Sequence, residues 1–202
     1  TGDNEAVEQL QSGVDRMQHL VEQLLSLYRS TPTEFSSHFT PVDLYQLAQE
    51  VIAEQHPAFE CKHQTLELLG SKSIIEGDRF SLQTLLQNLL SNANKYTPEG
   101  GFIRVTVEQL DAPDSQEPNV CLNVEDSGLG IDPADYETIY ERFQRLNNNP
   151  TVAATPGCGL GLTIVSHIVE LHHASITIAP SGFESGTRFT VIFNPKATHH
   201  DV

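Results

Sequence analysis

The stretch NLLSNANKYTPEGG, residues 88–101, constrains this chain more than any other. Its leucines belong to an apolar helix expected over residues 79–96. The same helix places Asn88 and Asn92 four apart, with Lys95 about one turn further on. Positions i and i+4 lie on one face, about 6 Å apart along the axis. Asparagine is a mediocre helix former because its amide competes for the backbone. A row of two carboxamides and an ammonium beside a leucine face is therefore polar equipment that the helix itself does not explain.

The rest of the chain supplies a frame for that helix. Val7, Leu10, Val14, Met17, Val21, Leu24 and Tyr28 are spaced 3, 4, 3, 4, 3, 4, an a/d seam over residues 4–29. Leu20 and Leu27 widen the stripe, which favours a helical bundle and demands partner helices. Residues 31–39, rich in Ser, Thr and Pro, read as a linker. A helix is expected over 42–55. Strands are expected over 65–70 and 73–77, joined by a tight turn, and over 102–110 and 119–126. A short helix around 133–140, a loop over 146–158, a helix over 160–173 and a closing pair of strands, ASITIAP and TRFTVIF, complete the pattern. Strands with interspersed helices imply an α+β fold, a mixed sheet covered by helices on one face.

Charge limits the partners. Eleven basic residues stand against 27 acidic ones, a net charge of -16, which argues against nucleic acid and anionic membrane surfaces. A polyanionic ligand must then be met by local cations, helix N-termini or a metal. Cys61, Cys121 and Cys158 are odd in number and lack metal-ligand spacing, so reduced thiols are expected. The nine histidines show no HExxH pattern, and no run of 18 apolar residues is present. A soluble segment is expected, whatever its parent protein.

Three further stations carry glycine. In EDSGLGI, residues 125–131, a strand ends at Asp126 and turns through Gly128 and Gly130, where backbone can approach a ligand closely. A bare turn of that composition is common. In PGCGLGL, residues 156–162, Gly157, Gly159 and Gly161 lead into an apolar helix, whose free N–H groups suit phosphate. It follows no strand and lacks the GK[ST] ending, so it is neither a dinucleotide fingerprint nor a P-loop. SGTRF, residues 185–189, opens the last strand with Gly186 and Thr187.

Taken in order, NLLSNANKYTPEGG, DSGLGI, ERFQR, GCGLGL and GTRF resemble the N, G1, F, G2 and G3 boxes of bacterial sensor histidine kinases. That ATP-binding domain looks like the one shared with gyrase-type topoisomerases, heat-shock chaperones and mismatch-repair ATPases. The likeness spans residues 40–195, with a tail over 196–202. VDRMQHLVEQLLSLYR, within residues 1–30, resembles the second helix of the dimerisation and histidine-phosphotransfer hairpin. The resemblance implies a two-layer α/β sandwich preceded by one long bundle helix.

It also implies roles. Asn88 would hold Mg2+ through a neutral carboxamide oxygen, as a hard cation wants. Asn92 and Lys95 would face the phosphates of ATP, and Tyr96 the ribose or base. Asp126 would accept the exocyclic N–H of adenine, with Gly128, Gly130 and Ile131 lining the base and Thr187 supporting it. Guanine would set a carbonyl against that carboxylate, so ATP would be selected. Phe143 would stand at the root of a lid over 146–158, with Arg145 toward the phosphates. Gly157, Gly159, Leu160, Gly161 and Leu162 would form the phosphate-side turn.

Two departures qualify this. In hydrolysing relatives a glutamate one turn before the first asparagine activates water; Thr84 stands here and cannot serve as a general base. The acceptor motif, histidine followed by Glu, Leu, Arg, Thr and Pro, is absent, and neither His19 nor His172 has that context. The expectation is a piece that begins after the acceptor helix, from the cytoplasmic side of an inner-membrane protein. It would be dimeric in full length, would meet the membrane only through upstream segments and would have a response-regulator receiver domain as partner. An anti-sigma-type serine kinase and a nucleotide-sensing module without transfer chemistry are the alternatives.

Overall fold

The computed structural model describes residues 39–111, 118–136 and 161–194. The heptad seam from Val7 to Tyr28, the loop 146–158, and Phe143, Arg145, Gly157, Cys158, Gly159 and Leu160 lie outside the described residues.

Strand β1 (Thr40–Asp43) runs directly into helix α1 (Leu44–Glu60). The junction is made by Asp43, whose carboxylate accepts the N–H of Tyr45 and Gln46 as an N-cap. Val42 and Asp43 are therefore strand, not the start of the expected helix. Helix α1 also continues past residue 55 and through Pro57 to Glu60. Strand β2 (Thr65–Gly70) and β3 (Ile74–Gly77) follow. They do not pair with each other as their tight connection suggested: β3 pairs antiparallel with β1 in a small separate sheet, and β2 lies parallel to β4.

Helix α2 (Arg79–Tyr96) occupies the span read from its sequence. Asp78 caps it, accepting the Ser81 N–H at 2.8 Å and the Ser81 hydroxyl at 2.7 Å. Pro98 disfavours helical geometry at Thr97, where the helix gives way to extended backbone. Strands β4 (Phe102–Leu110) and β5 (Asn119–Asp126) form an antiparallel pair. A single 3-10 turn, Pro133–Asp135, is what the described residues hold of the short helix expected there. Helix α3 (Gly161–Leu171), β6 (Ser175–Pro180) and β7 (Thr187–Phe193) complete the fold.

The main sheet has the order β2-β4-β5-β7-β6, with only the β2–β4 pair parallel. Alternation along the strands sets its two faces. Ile103, Val105, Val107, Leu122, Val124 and Val191 point into one core with Leu82, Leu85, Leu86 and Leu89 of α2 and Ile164, Val165 and Ile168 of α3. Each such leucine removed from water contributes about 2 kcal/mol. The opposite face carries Glu67, Arg104, Asn123, Arg188 and Thr190, joined by ion pairs and hydrogen bonds. This is the α+β sandwich of one sheet and one helical layer. No helix among the described residues is long and apolar enough to cross a membrane. Cys61 and Cys121 are free thiols, one exposed and one buried.

Candidate functional site

The site lies between the layers, at the ends of α2, β5 and β7 and the start of α3. Asn88 is buried, and its side-chain amide orientation follows from its partner. The Nδ2 donates to the Thr84 carbonyl at 2.8 Å, and a carbonyl can only receive the amino end. The Oδ1 is left facing α3: a Cβ built on Gly161 would lie 2.9 Å from it, and 3.9 Å from Asn92 Nδ2. A side chain larger than hydrogen at Gly161 would thus press into the amide row. The first turn of α3 comes down onto Asn88 and Asn92, joining two stations that sequence had only set in order.

An amide oxygen so oriented, beside a helix start with its N–H groups and positive dipole end, suits a hard cation carrying phosphate. Among the described residues no cluster of three or more His, Cys, Asp or Glu could hold a metal by itself. A divalent ion here would need to share its coordination with Asn88, phosphate and water. Lys95 donates to the Tyr96 hydroxyl at 3.0 Å and lies 4.7 Å from the centre of that ring, which steadies the cation at the end of α2.

Asp126 ends β5 on the helix side of the sheet and is buried. Its Oδ1 accepts the N–H of Gly128 at 2.8 Å and of Thr187 at 3.3 Å. Burial pushes the carboxyl up to about 6, against the pull of those two N–H groups, and the neighbouring Glu125 charge adds to the rise. Among the described residues no donor reaches Oδ2, so that oxygen is the one able to accept from a ligand. Gly128 and Gly186 bring backbone hard against this carboxylate. A Cβ on Gly128 would sit 2.6 Å from the Tyr96 carbonyl oxygen, and one on Gly186, with φ +117°, only 1.9 Å from the Asp126 carbonyl oxygen. Ile131 and Leu162 pack against the core beside these turns. A Cβ on Gly130 would lie 3.3 Å from the Gly186 carbonyl oxygen.

Of the residues singled out in sequence, Asn88, Asn92, Lys95, Tyr96, Asp126, Gly128, Gly130, Ile131, Gly161, Leu162 and Thr187 are described. They converge on one region from α2, the turn after β5, the start of α3 and the start of β7. Thr84 is buried with its hydroxyl donated to the Phe80 carbonyl at 3.0 Å. His172 is buried between elements and is structural: Nδ1 meets the Ile168 carbonyl at 2.8 Å and Nε2 accepts the Asp78 N–H at 3.1 Å.

Sequence reasoning passed over two supports. Lys62 donates to the carbonyls of Asn94 at 2.6 Å and Lys95 at 3.2 Å, a cation set on the negative end of α2. Gln64 Nε2 donates to the Thr97 carbonyl at 2.8 Å, and its Oε1 accepts from Asn94 Nδ2 at 2.8 Å. Together they fix where Lys95 and Tyr96 stand. Nothing local in CKHQT signals this, because the contacts span some thirty residues.

Comparison with known proteins agrees with this architecture. Residues 77–197, more than half of the chain, match the family described as histidine kinase-, DNA gyrase B- and HSP90-like ATPase. The sensor protein kinase PmrB of Pseudomonas aeruginosa is 33% identical over 188 residues, 93% of this chain and 37% of that protein. The chain spans less than half the length of the first curated relatives it matches. Among solved structures, mycobacterial sensor histidine kinase MprB superposes with a TM-score of 0.66 at 25% identity, over 77% of this chain and 96% of that one. Full-length ShkA, solved with AMPPNP, superposes with a TM-score of 0.75 at 25% identity, over 96% of this chain and 39% of that one. The chain belongs to the family of histidine kinase-, DNA gyrase B- and HSP90-like ATPases, and it corresponds to the catalytic region of the bacterial sensor histidine kinases among them.

Proposed function

We propose that this chain binds ATP with Mg2+ and donates the γ-phosphoryl to a histidine, as the catalytic part of a two-component sensor kinase. The observation that carries the reading is Asp126: a buried carboxylate fixed at Oδ1 by two backbone N–H groups, with Oδ2 left to accept. The amino group of adenine matches that acceptor, and a 6-carbonyl does not. Asn88 would hold Mg2+ through Oδ1, and Asn92, Lys95 and the N–H groups at Gly161 would take the phosphates. Bound there, Mg2+ would supply charge neutralisation of the phosphates. The chain's own part is to bind the base, orient the γ-phosphate and exclude stray water.

Thr84 supports transfer over hydrolysis. Its hydroxyl is committed to the Phe80 carbonyl, and it has no basicity with which to activate water. The acceptor nitrogen would attack the γ-phosphorus, the bond to the β-bridging oxygen would break, and ADP would leave. A response-regulator aspartate would take the phosphoryl next. We place the acceptor histidine on a separate helix, homodimerisation through the seam of residues 4–29, and the catalytic part on the cytoplasmic face of the inner membrane.

The test is radiolabelled ATP supplied to the chain alone and to the chain fused behind a helix carrying the acceptor motif. The chain alone is expected to bind ATP without labelling itself. The fusion is expected to give an acid-labile, base-stable phosphoprotein. Rapid release of phosphate into water by the chain alone would overturn the transfer reading.

A further inference from the structure

We infer that Glu125 is a positioning residue for base recognition, clamping the 181–186 loop from the far face of the sheet so that Gly186 and Thr187 meet Asp126. This rests on the nucleotide-binding reading above and extends it to a residue outside the pocket.

Successive strand residues face opposite ways, so Asp126 looks into the helical layer while Glu125 looks out of the sheet. Yet Glu125 is buried. Its Oε1 accepts the N–H of Gly182, together with Arg188 Nε at 3.1 Å and Nη2 at 2.8 Å. Gly182 lies near the start of the loop and Arg188 two residues beyond its end, and its neck is closed by Ser181 N–H donating to the Gly186 carbonyl at 3.1 Å. The loop ends where the pocket begins. Gly186 lies against the Asp126 carbonyl, and the next N–H, that of Thr187, donates to Asp126 Oδ1 at 3.3 Å.

The clamp is stiffened from both sides. Arg104 of β4 approaches Glu125 Oε2 at 3.9 Å and bonds Glu67 of β2 at 2.7 Å. Glu67, Arg104, Glu125 and Arg188 are register partners in turn, a row of alternating charge across four strands. Phe183, within the loop, lays its ring 5.1 Å from the Arg104 guanidinium. Burial alone would push Glu125 up, but the Gly182 N–H and the Arg188 guanidinium outweigh it and hold the carboxyl below its usual range.

A buried ion pair contributes little net stability against an apolar replacement, but removing one partner leaves the other unpaired and frees what it held. Here the freed element is the loop that delivers one of the two N–H groups orienting Asp126. Losing the clamp should therefore blur the choice of base.

The experiment compares the chain with Glu125→Ala and Glu125→Gln, titrating Mg-ATP and Mg-inosine triphosphate, whose bases differ in the amino or carbonyl group at the 6-position and in the proton that the carbonyl form carries on N1. Glu125→Ala is expected to lower the ATP-to-inosine-triphosphate affinity ratio about tenfold, the worth of one charge-assisted hydrogen bond. Glu125→Gln, whose amide oxygen still accepts from Gly182 and Arg188, is expected to keep the ratio within about twofold. A folded Glu125→Ala with the parental ratio, or with both affinities reduced equally, would overturn the inference. Should Glu125→Ala fail to fold, Arg188→Lys keeps the charge but loses the two-point grip. It is expected to lower the same ratio, and an unchanged ratio there would overturn the inference equally. Absence of ATP binding by the parental chain would instead overturn the nucleotide reading and this inference with it.

Discussion

Replacing Asp126 with asparagine should move stability and ATP affinity in opposite directions, and the geometry says by how much. Only an acceptor can meet the N–H groups of Gly128 and Thr187, so in Asp126→Asn the amide oxygen keeps the place of Oδ1. The amino group then takes the place of Oδ2. Consider the nucleotide-free protein first. Burial raises the Asp126 carboxyl from 3.8 to about 6, so keeping it ionised in the fold at neutral pH costs about 3 kcal/mol. The sign follows from a raised folded-state value. The stability linked to this group is complete below pH 3.8 and is lost as the pH rises through about 6. The amide carries no charge to desolvate, so at neutral pH the variant should be more stable by up to about 3 kcal/mol. That gain should fade as the pH is lowered toward 4.

Nucleotide binding should go the other way. With an amino group in the place of Oδ2, adenine's amino group would meet another donor, and about 3 kcal/mol would be lost, a factor of about a hundred in affinity. Inosine triphosphate, with a carbonyl at that position, should bind better to the variant than to the parent. Urea denaturation without nucleotide and calorimetric titration with both nucleotides measure the two effects. A variant that is less stable at neutral pH and still prefers ATP would refute both the burial argument and the assignment of Oδ2 to the base.

Three other outcomes are expected. Asn88→Ala should weaken ATP binding about tenfold with Mg2+ present and little with EDTA, because it removes an oxygen offered to the metal; equal losses in both conditions would contradict a metal-side role. Gly186→Ala should destabilise the fold by about 3 kcal/mol or more in a urea melt, since φ of +117° and a 1.9 Å approach to the Asp126 carbonyl oxygen leave a methyl group no room. His172 should stay neutral at pH 6.5 in an NMR titration, because burial pushes its imidazole down from that value. Its share of stability, complete above the unfolded value of 6.5, should be lost as the pH falls below it, and that loss is best measured in the Asp126→Asn background, where the opposing carboxylate is gone.

What could be read in advance was local. Helix α2 was legible from its run of leucines, and its polar row was legible from i, i+4 spacing alone. The pairing of β2 was not. TLELLG and SIIEG are separated by only two residues, which invites a hairpin, but β2 lies parallel to β4, beyond the whole of α2. Such a partner is chosen by the core, and no short-range signal carries it. The end of α1 was not legible either. The helix expected to end at residue 55 runs on through Pro57 to Glu60, and Phe59, one of the most deeply buried side chains, keeps the last turn on the core.

The same division explains why the pocket was half visible. Asn88 and Asp126 announce themselves by type and by neighbouring glycines, since a ligand site needs particular atoms at particular places on the backbone. The residues that hold those atoms still do not announce themselves. Lys62 acts on α2 from the end of α1, and Arg188 acts on Asp126 only through Glu125 and a loop. In sequence they are one lysine in a turn and one arginine in a strand, each with the bland reading of a solvated surface charge. Their roles exist only once the register sets Arg104 beside Glu125, Glu125 beside Arg188, and Lys62 over the last carbonyls of α2. A substitution at either should therefore leave every atom that touches nucleotide in place in the sequence and still move it in space.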